Sequence, residues 1–334
     1  MIVLAGIGHA QKGDDLAALN ADAERLFRAG KYAEAEQLYK RSLAISEKVL
    51  VHDHPFLIVA LGKLAELYYS QGRYAEAEPL YKRSVNISEK ALGPDHPFVA
   101  TTLNNLAEML REQGRYAEAE PLYKRGLAIR ETALGPDHPI VATTLNNLAG
   151  LYQDQGRYTE AELLYNRSLA IRETVLGSEH PDVMQSLSNL AGLAYDQSNW
   201  VGAVTYLRRS TDIIRHRAER GLTDYRGKAT GGEAQRGASQ FRGLIKAEHR
   251  IPAQDRTALL AQMFETTQWA QGSEAAASLA QMAARSAKGS RRPSSVSCVA
   301  ATETIGFVIE AMRKIESSRI SAFASRSRQP IAMA

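Results

Sequence analysis

The chain has 334 residues, 44% of them hydrophobic; Ala, Leu, Glu, Arg and Gln dominate, which favours helices over sheet. Its net charge of +4 is uneven, because residues 217–334 carry 18 Lys+Arg against 10 Asp+Glu while residues 1–216 stand at −4. A single cysteine, Cys298, excludes an internal disulfide and a Cys-based metal site, and no apolar run approaches the roughly 20 residues that span a bilayer.

Residues 1–13 form an extension in which Ile2–Ile7 is apolar and Gly8-His9-Ala10 has the small-x-small form of a signal-peptidase site, with no Lys or Arg before it. This stretch reads either as a signal peptide whose start is lost or as a plain disordered N-terminus. The compartment expected for the chain as written is the cytoplasm, with export as the alternative under the first reading.

From residue 14 the sequence repeats itself. QGRYAEAE at Gln71–Glu78 returns letter for letter at Gln113–Glu120, as QGRYTEAE at Gln155–Glu162 and AGKYAEAE at Ala29–Glu36, and in worn form as QSNWVGAV from Gln197. Each copy begins 42 residues after the last, and Pro97–Leu134 matches Pro139–Leu176 at 27 of 38 positions. In the first half of the unit Val99, Leu103, Leu106, Ala107 and Leu110 recur at helical spacing, and Gly114 then breaks the pattern. In the second half Ala119, Leu122, Tyr123, Leu127 and Ile129 fall near one face of another helix; Gly135 suits a left-handed cap and Pro139 the first turn of the next helix. The unit is therefore a helical hairpin. A hairpin this small cannot bury its own apolar face, so neighbours must stack. Five are expected, at 14–50, 55–92, 97–134, 139–176 and 181–218, with bends at Gly30, Gly72, Gly114, Gly156 and Ser198. Within QGRYAEAE the Tyr and both Ala are expected at the closest packing, and the Glu residues in water.

Ala107, Leu110, Gly114, Tyr116, Ala119 and Tyr123 follow the tetratricopeptide signature, and residues 14–218 resemble that family. The usual period of about 34 residues is lengthened to 42 here, a version similar to the repeats of kinesin light chains and of many bacterial multi-repeat proteins. The resemblance implies an all-α fold, a right-handed superhelical solenoid of five hairpins, followed here by a linker and a few further helices. It departs locally, with Asp22 where Leu106 stands, Ser198 for Gly114 and Trp200 for Tyr116.

Residues 219–240 are glycine-rich and polar, as a linker would be. Helical patterns return over 241–288, with stripes at Leu259, Leu260, Met263, Phe264 and Thr267 and at Ala276, Leu279, Ala280 and Ala283. FRGLIKAEHR together with FETTQWAQGSEAAASLAQMAARSAKG resembles the segment that precedes a CHAT domain, a caspase-like protease fold, in bacterial proteins. That resemblance stops at Gly289. Residues 289–334 read as a basic, Ser-rich and poorly ordered tail in which Ile305, Val308, Ile309, Met312 and Ile315 share one helical stripe.

Chemistry is scarce in this sequence. His54, His96, His138 and His180 occur once per repeat, so their rings stand about one helix layer, roughly 10 Å, apart, too far for the ~2.1 Å bonds of one zinc ion. Holding the turn between repeats through backbone hydrogen bonds is the role expected of them. Cys298 has no local His to activate it. No catalytic residue, metal site or cofactor is expected. What remains is a surface. Asn104–Asn105 and Asn146–Asn147, with Ser188–Asn189 and Gly62–Lys63 at equivalent places, form a polar ladder on the first helices. An Asn amide donates and accepts at once, which suits the backbone of an extended peptide. In related repeats the second Asn of such a pair has that role, which the resemblance carries to Asn105, Asn147 and Asn189. Lys63 is placed to meet a carboxylate, and the alternative for the Asn residues is that they bond neighbouring helices. The expected function is a non-catalytic scaffold for a protein or peptide partner, with no small-molecule substrate, no nucleic acid and no membrane role. The rival is the recruiting half of a CHAT-type protease.

Overall fold

The computed structural model describes residues 16–49 and 55–219, together with 240, 243, 244, 246, 247, 250 and 251. The expectations placed on 1–13, His54, nearly all of the linker, the stripes within 259–283, Cys298 and the tail concern residues outside these. Among the described residues there are ten helices and no strand: α1 (16–28), α2 (Tyr32–Val49), α3 (Pro55–Ser70), α4 (Tyr74–Leu92), α5 (Pro97–Glu112), α6 (Tyr116–Leu134), α7 (Pro139–Asp154), α8 (Tyr158–Leu176), α9 (Pro181–Asp196) and α10 (Trp200–Glu219). They pair as five consecutive hairpins, the all-α solenoid that the repeats imply. The chain divides into two compact units within α9, Met1–Ser186 and Leu187–Ala334.

Each hairpin bends where it was expected to. Gly114 takes φ 72, and the following Arg115 N–H reaches back to Leu110 O at 2.9 Å, a six-to-one closure that satisfies an orphan carbonyl at the end of α5. Ser198 occupies the same left-handed position with φ 57, at a cost that glycine would avoid. Gly135 corrects an expectation. Its φ of 88 is paired with ψ 154, so it is no left-handed helical cap but an extended conformation that essentially only glycine adopts, its N–H bonded to Glu131 O at 3.0 Å. Three residues later His138 caps α7, its Nδ1 accepting from Ile140 N at 3.1 Å, with Pro139 in the first turn. His96 and His180 make the same bond to Phe98 N and Asp182 N.

In the first unit the apolar faces pack as the sequence requires. Val99, Leu103, Leu106, Ala107 and Leu110 are buried. Each second helix then lends a residue to the next hairpin. Leu43 packs on Leu57, Ile58 and Leu61; Val85 packs on Val99, Ala100 and Leu103; Leu127 packs on Val141, Ala142 and Leu145. Within a hairpin the crossing accepts only small residues. Ser84 and Ser168 donate to Ile58 O and Ala142 O, and a Cβ on Gly126, at the equivalent place, would lie 3.4 Å from Ala100 O.

The repeated octapeptide is a joint, and three of its letters differ from expectation, the first being its Tyr, which is exposed at Tyr32 and half-buried at Tyr74, Tyr116 and Tyr158. Ala119 is fully buried, as are Ala35, Ala77 and Ala161, but Ala117 is exposed. The second Glu of each copy does not simply face water. Glu36, Glu78 and Glu120 accept from Arg73, Arg115 and Arg157 of the following repeat at 2.8, 2.7 and 2.8 Å, and each also holds the Lys four residues on. The same arginines grip Glu76, Glu118 and Glu160 of their own repeat. Arg and Glu thus tie repeat to repeat, a pairing across 37 residues that local pattern does not disclose.

In the second unit Ala191, Ala194, Ala203, Val204 and Leu207 form a core with Leu244, Ala247 and Ile251. Tyr195 and Trp200 meet edge to face across the bend with centroids 5.6 Å apart, and the Arg250 guanidinium lies 4.5 Å over the Trp200 ring.

Candidate functional site

The exposed side of the first helices α3, α5 and α7 carries the residues singled out from the sequence. Asn104 and Asn147 are half-buried and meet directly, Asn147 Nδ2 donating to Asn104 Oδ1 at 3.0 Å. One rung of the polar ladder is therefore an inter-repeat bond, as the alternative reading of these amides has it. Shifted back one repeat, the same rung would join Asn105 to position 62. That residue is Gly62, with open space where a side chain would be, and Asn105 is exposed. Asn146 is half-buried on α7. Asn189, in the second unit, is half-buried on α9.

Lys63 meets carboxylates on both sides, Glu66 at 2.9 Å and Glu24 at 3.0 Å. Partial burial would lower its pKa, but these two hydrogen bonds outweigh it and hold the ammonium above its ordinary value. Tyr39 OH donates to Glu24 and Tyr123 OH to Glu108, so a tyrosine of the second helix props the acid of the first. Arg111 extends the network, with Nε to Asp154 Oδ2 at 2.6 Å and Nη1 to Glu108 at 3.3 Å. Its guanidinium lies flat over Gly150, close enough that an added Cβ would sit 3.0 Å from Nη1.

Toward the N-terminal ends of these helices the surface turns apolar. Phe56, Phe98 and Ile140 occupy equivalent positions and are 38%, 37% and 44% exposed, with Val59 one turn along at 39%. Beneath lies a feature that sequence reasoning missed. Arg130 and Arg172, equivalent residues of α6 and α8, are buried. Arg130 donates to Thr144 Oγ1 and to Thr101 Oγ1, and Arg172 to Asp182 O at 3.0 Å and Ser186 Oγ at 2.8 Å. Burial lowers both pKa values from the usual guanidinium range. The signal that could have found them is substitution at one register position, where Ser46 and Ser88 give way to Arg130 and Arg172.

The arrangement supplies amides, a few ion pairs and exposed apolar side chains. Among the described residues no group of three or more His, Cys, Asp or Glu is placed to hold a metal ion, and no described helix is long and apolar enough to cross a membrane.

A tetratricopeptide repeat model matches the sequence in four overlapping spans, residues 14–90, 59–132, 98–174 and 140–216. No curated protein matches the chain. Among solved structures it is similar to the nearly identical TPR-like repeats assigned to a kinesin light chain of Podosopora anserina, at 29% identity and TM-score 0.53, over 60% of this chain and 95% of that one. It shares its fold with BtubC (BKLC) from P. vanneervenii, at 20% identity and TM-score 0.52 over 84% and 96% of the two chains. The apo form of RapI is similar too, at 15% identity and TM-score 0.56 over 91% and 99%.

Proposed function

The chain belongs to the tetratricopeptide repeat family, and from that premise we propose that it is a non-catalytic scaffold holding an extended segment of a protein partner on the exposed side of α3, α5 and α7. Proteins of this family generally mediate protein–protein interaction. The observation that carries the reading for this chain is Asn105, an exposed amide on a first helix whose place in the rung is left open by Gly62. Such an amide can clamp a peptide backbone without reading its side chains. The exposed Phe98 and Ile140 one to two turns away offer apolar contact for the side chains that alternate along an extended segment. Lys63, Asn146 and Asn147 belong to the same proposed surface, with Asn147 also bracing Asn104, and Asn189 is proposed for the equivalent role within the second unit. The acidic balance of residues 1–216 works against a nucleic-acid partner, since phosphates are drawn to clustered Lys and Arg.

The test is capture of partners by the full chain, followed by hydrogen-exchange footprinting of the strongest. Slowed exchange in α3, α5 and α7 is expected. Protection confined to α4, α6 and α8 would refute the assignment of the face. A second reading, that the repeats recruit substrate for a CHAT-type protease acting with them, is favoured only by the resemblance of residues 241–288. A protease domain in the DNA downstream of the reading frame, in another frame, would support it.

A further inference from the structure

Arg130 is buried, yet among the described residues its guanidinium bonds only neutral hydroxyls, Thr101 Oγ1 at 3.1 Å and Thr144 Oγ1. A cation taken out of water is costly unless an opposite charge answers it. Where the group comes up is informative. Thr101 is half-buried and lies between Phe98 and Asn105 on α5, three residues from the one and four from the other, so the three share a helix face. Thr144 lies between Ile140 and Asn147 on α7 in the same way. The guanidinium thus reaches up between two neighbouring first helices, midway between the apolar residues and the amides of the face proposed for a partner. The next hairpin shows what completes such a place. Arg172 is the equivalent residue and bonds Ser186, which stands where Thr144 stands. There the first helix carries the exposed Asp182 in place of Phe98 and Ile140, and Asp182 O accepts from Arg172 at 3.0 Å. Burial lowers the pKa of both arginines; the Asp182 charge opposes that for Arg172, and among the described residues no charge does so for Arg130. In this register Ser46 and Ser88 go with Phe56 and Phe98, and Arg172 goes with Asp182, whereas Arg130 goes with Ile140.

From this mismatch we infer that the bound segment supplies the missing acid, an Asp or Glu side chain that enters between Phe98 and Ile140 and takes the Arg130 guanidinium. The inference rests on the reading of α3, α5 and α7 as the partner's face. A carboxylate suits the place, because a guanidinium meets it through two parallel N–H bonds. Thr101 Oγ1 accepts from Arg130 Nη2, so its own hydroxyl proton is left to donate to the same carboxylate. Phe98 and Ile140 flank the entry and are exposed, which shields the ion pair from water while accepting apolar neighbours of the acid along the segment. The acidic balance of residues 1–216 opposes an acidic partner at range, but salt screens that repulsion beyond about 8 Å. The contact with Arg130 is closer than that. Arg130 is therefore the residue by which this face selects one acidic side chain within an otherwise apolar stretch.

Random peptides of about a dozen residues, long enough to cross two hairpins, selected on the full chain test this. Among those whose affinity falls with Asn105→Ala, one Asp or Glu next to apolar residues should recur. Replacing that acid by its amide in the peptide should weaken binding to the wild-type chain about ten- to hundredfold. Against Arg130→Met the acid and amide peptides should bind within about twofold of each other. Should Arg130→Met fail to fold, Arg130→Ser gives the same reading, since Ser46 and Ser88 show that the frame accepts serine at this position. Arg172→Met should keep the wild-type preference for the acid. Peptides with no excess of acids, a preference that survives the change at Arg130, or an equal loss in Arg172→Met would overturn the inference and leave the partner face standing. If no selected peptide is sensitive to Asn105→Ala, the partner face itself falls, and the inference with it.

Discussion

Single residues decide how closely two helices cross and how tightly the chain turns. Ala119 is fully buried at the crossing of α5 and α6, whereas Ala117 two positions earlier is exposed. Ala119→Leu should therefore overpack the joint and cost about 1–3 kcal/mol, while Ala117→Leu should stay within about 0.5 kcal/mol; urea melts of the two variants check the difference. At the bends the prediction runs in the opposite direction. Ser198 holds a left-handed conformation that its side chain disfavours, so Ser198→Gly should raise stability by up to about 1 kcal/mol. Gly114→Ala should lower it by about the same amount. Arg130 gives a third residue-scale expectation. Among the described residues its buried guanidinium bonds to threonine hydroxyls alone, and Thr144 keeps a bond of its own to Ile140 O. Replacing it with Met exchanges a desolvated charge for an apolar chain of similar length, so the melt should move by less than about 1 kcal/mol. A loss above about 3 kcal/mol would show that Arg130 is paired with an anionic group.

At the scale of the element, the helices and bends were legible in the sequence, and the links between repeats were not. Periodicity placed Val99, Leu103 and Leu110 in the core, and the spacing of Gly72, Gly114 and Gly156 placed the turns, because both signals are local. Glu78 read as solvated for the same reason: nothing within its helix shows that Arg115 of the next repeat will reach it. Arg130 was missed because its burial depends on Thr101 and Thr144 of two other helices. The joint itself yields a pH prediction. Hydrogen bonds from Arg73 and then Lys40 hold Glu36 down to about 2, and those from Arg115 and then Lys82 hold Glu78 at about 2. A carboxylate depressed in the folded state contributes stability above its unfolded pKa of about 4.3 and loses it as pH falls through the folded value. The melting temperature should accordingly feel no loss from these groups between pH 8 and 6, and should fall from about pH 4.5 down toward 2. Glu78→Gln should flatten part of that acid limb while costing about 0.2–1 kcal/mol at neutral pH, as partly exposed pairs do. An acid limb that Glu78→Gln leaves unaltered would assign the acid sensitivity to other carboxylates.

Over the whole molecule, one hairpin is written five times, and the chemistry of its exposed positions varies while its frame does not. The first helices place Phe56, Phe98 and Ile140 at one equivalent position, and Gly62, Asn104, Asn146 and Ser188 at another. The frame was readable because repetition averages out local irregularity. The surface was readable only as a set of positions, since the same amide serves as a brace in Asn147 and is exposed in Asn105. That difference gives the most direct measurement of the central claim, the affinity of a captured partner for Asn105→Ala set beside the melt of the same variant. Loss of one neutral hydrogen bond should weaken binding by about 0.5–1.5 kcal/mol, or roughly two- to twelvefold. The exposed amide should leave stability within about 0.5 kcal/mol. Asn147→Ala, which also breaks the bond to Asn104, should lower the melt as well as the affinity. Wild-type affinity in Asn105→Ala, or a loss of affinity that only follows a fall in the melt, would contradict a partner-binding role for this face.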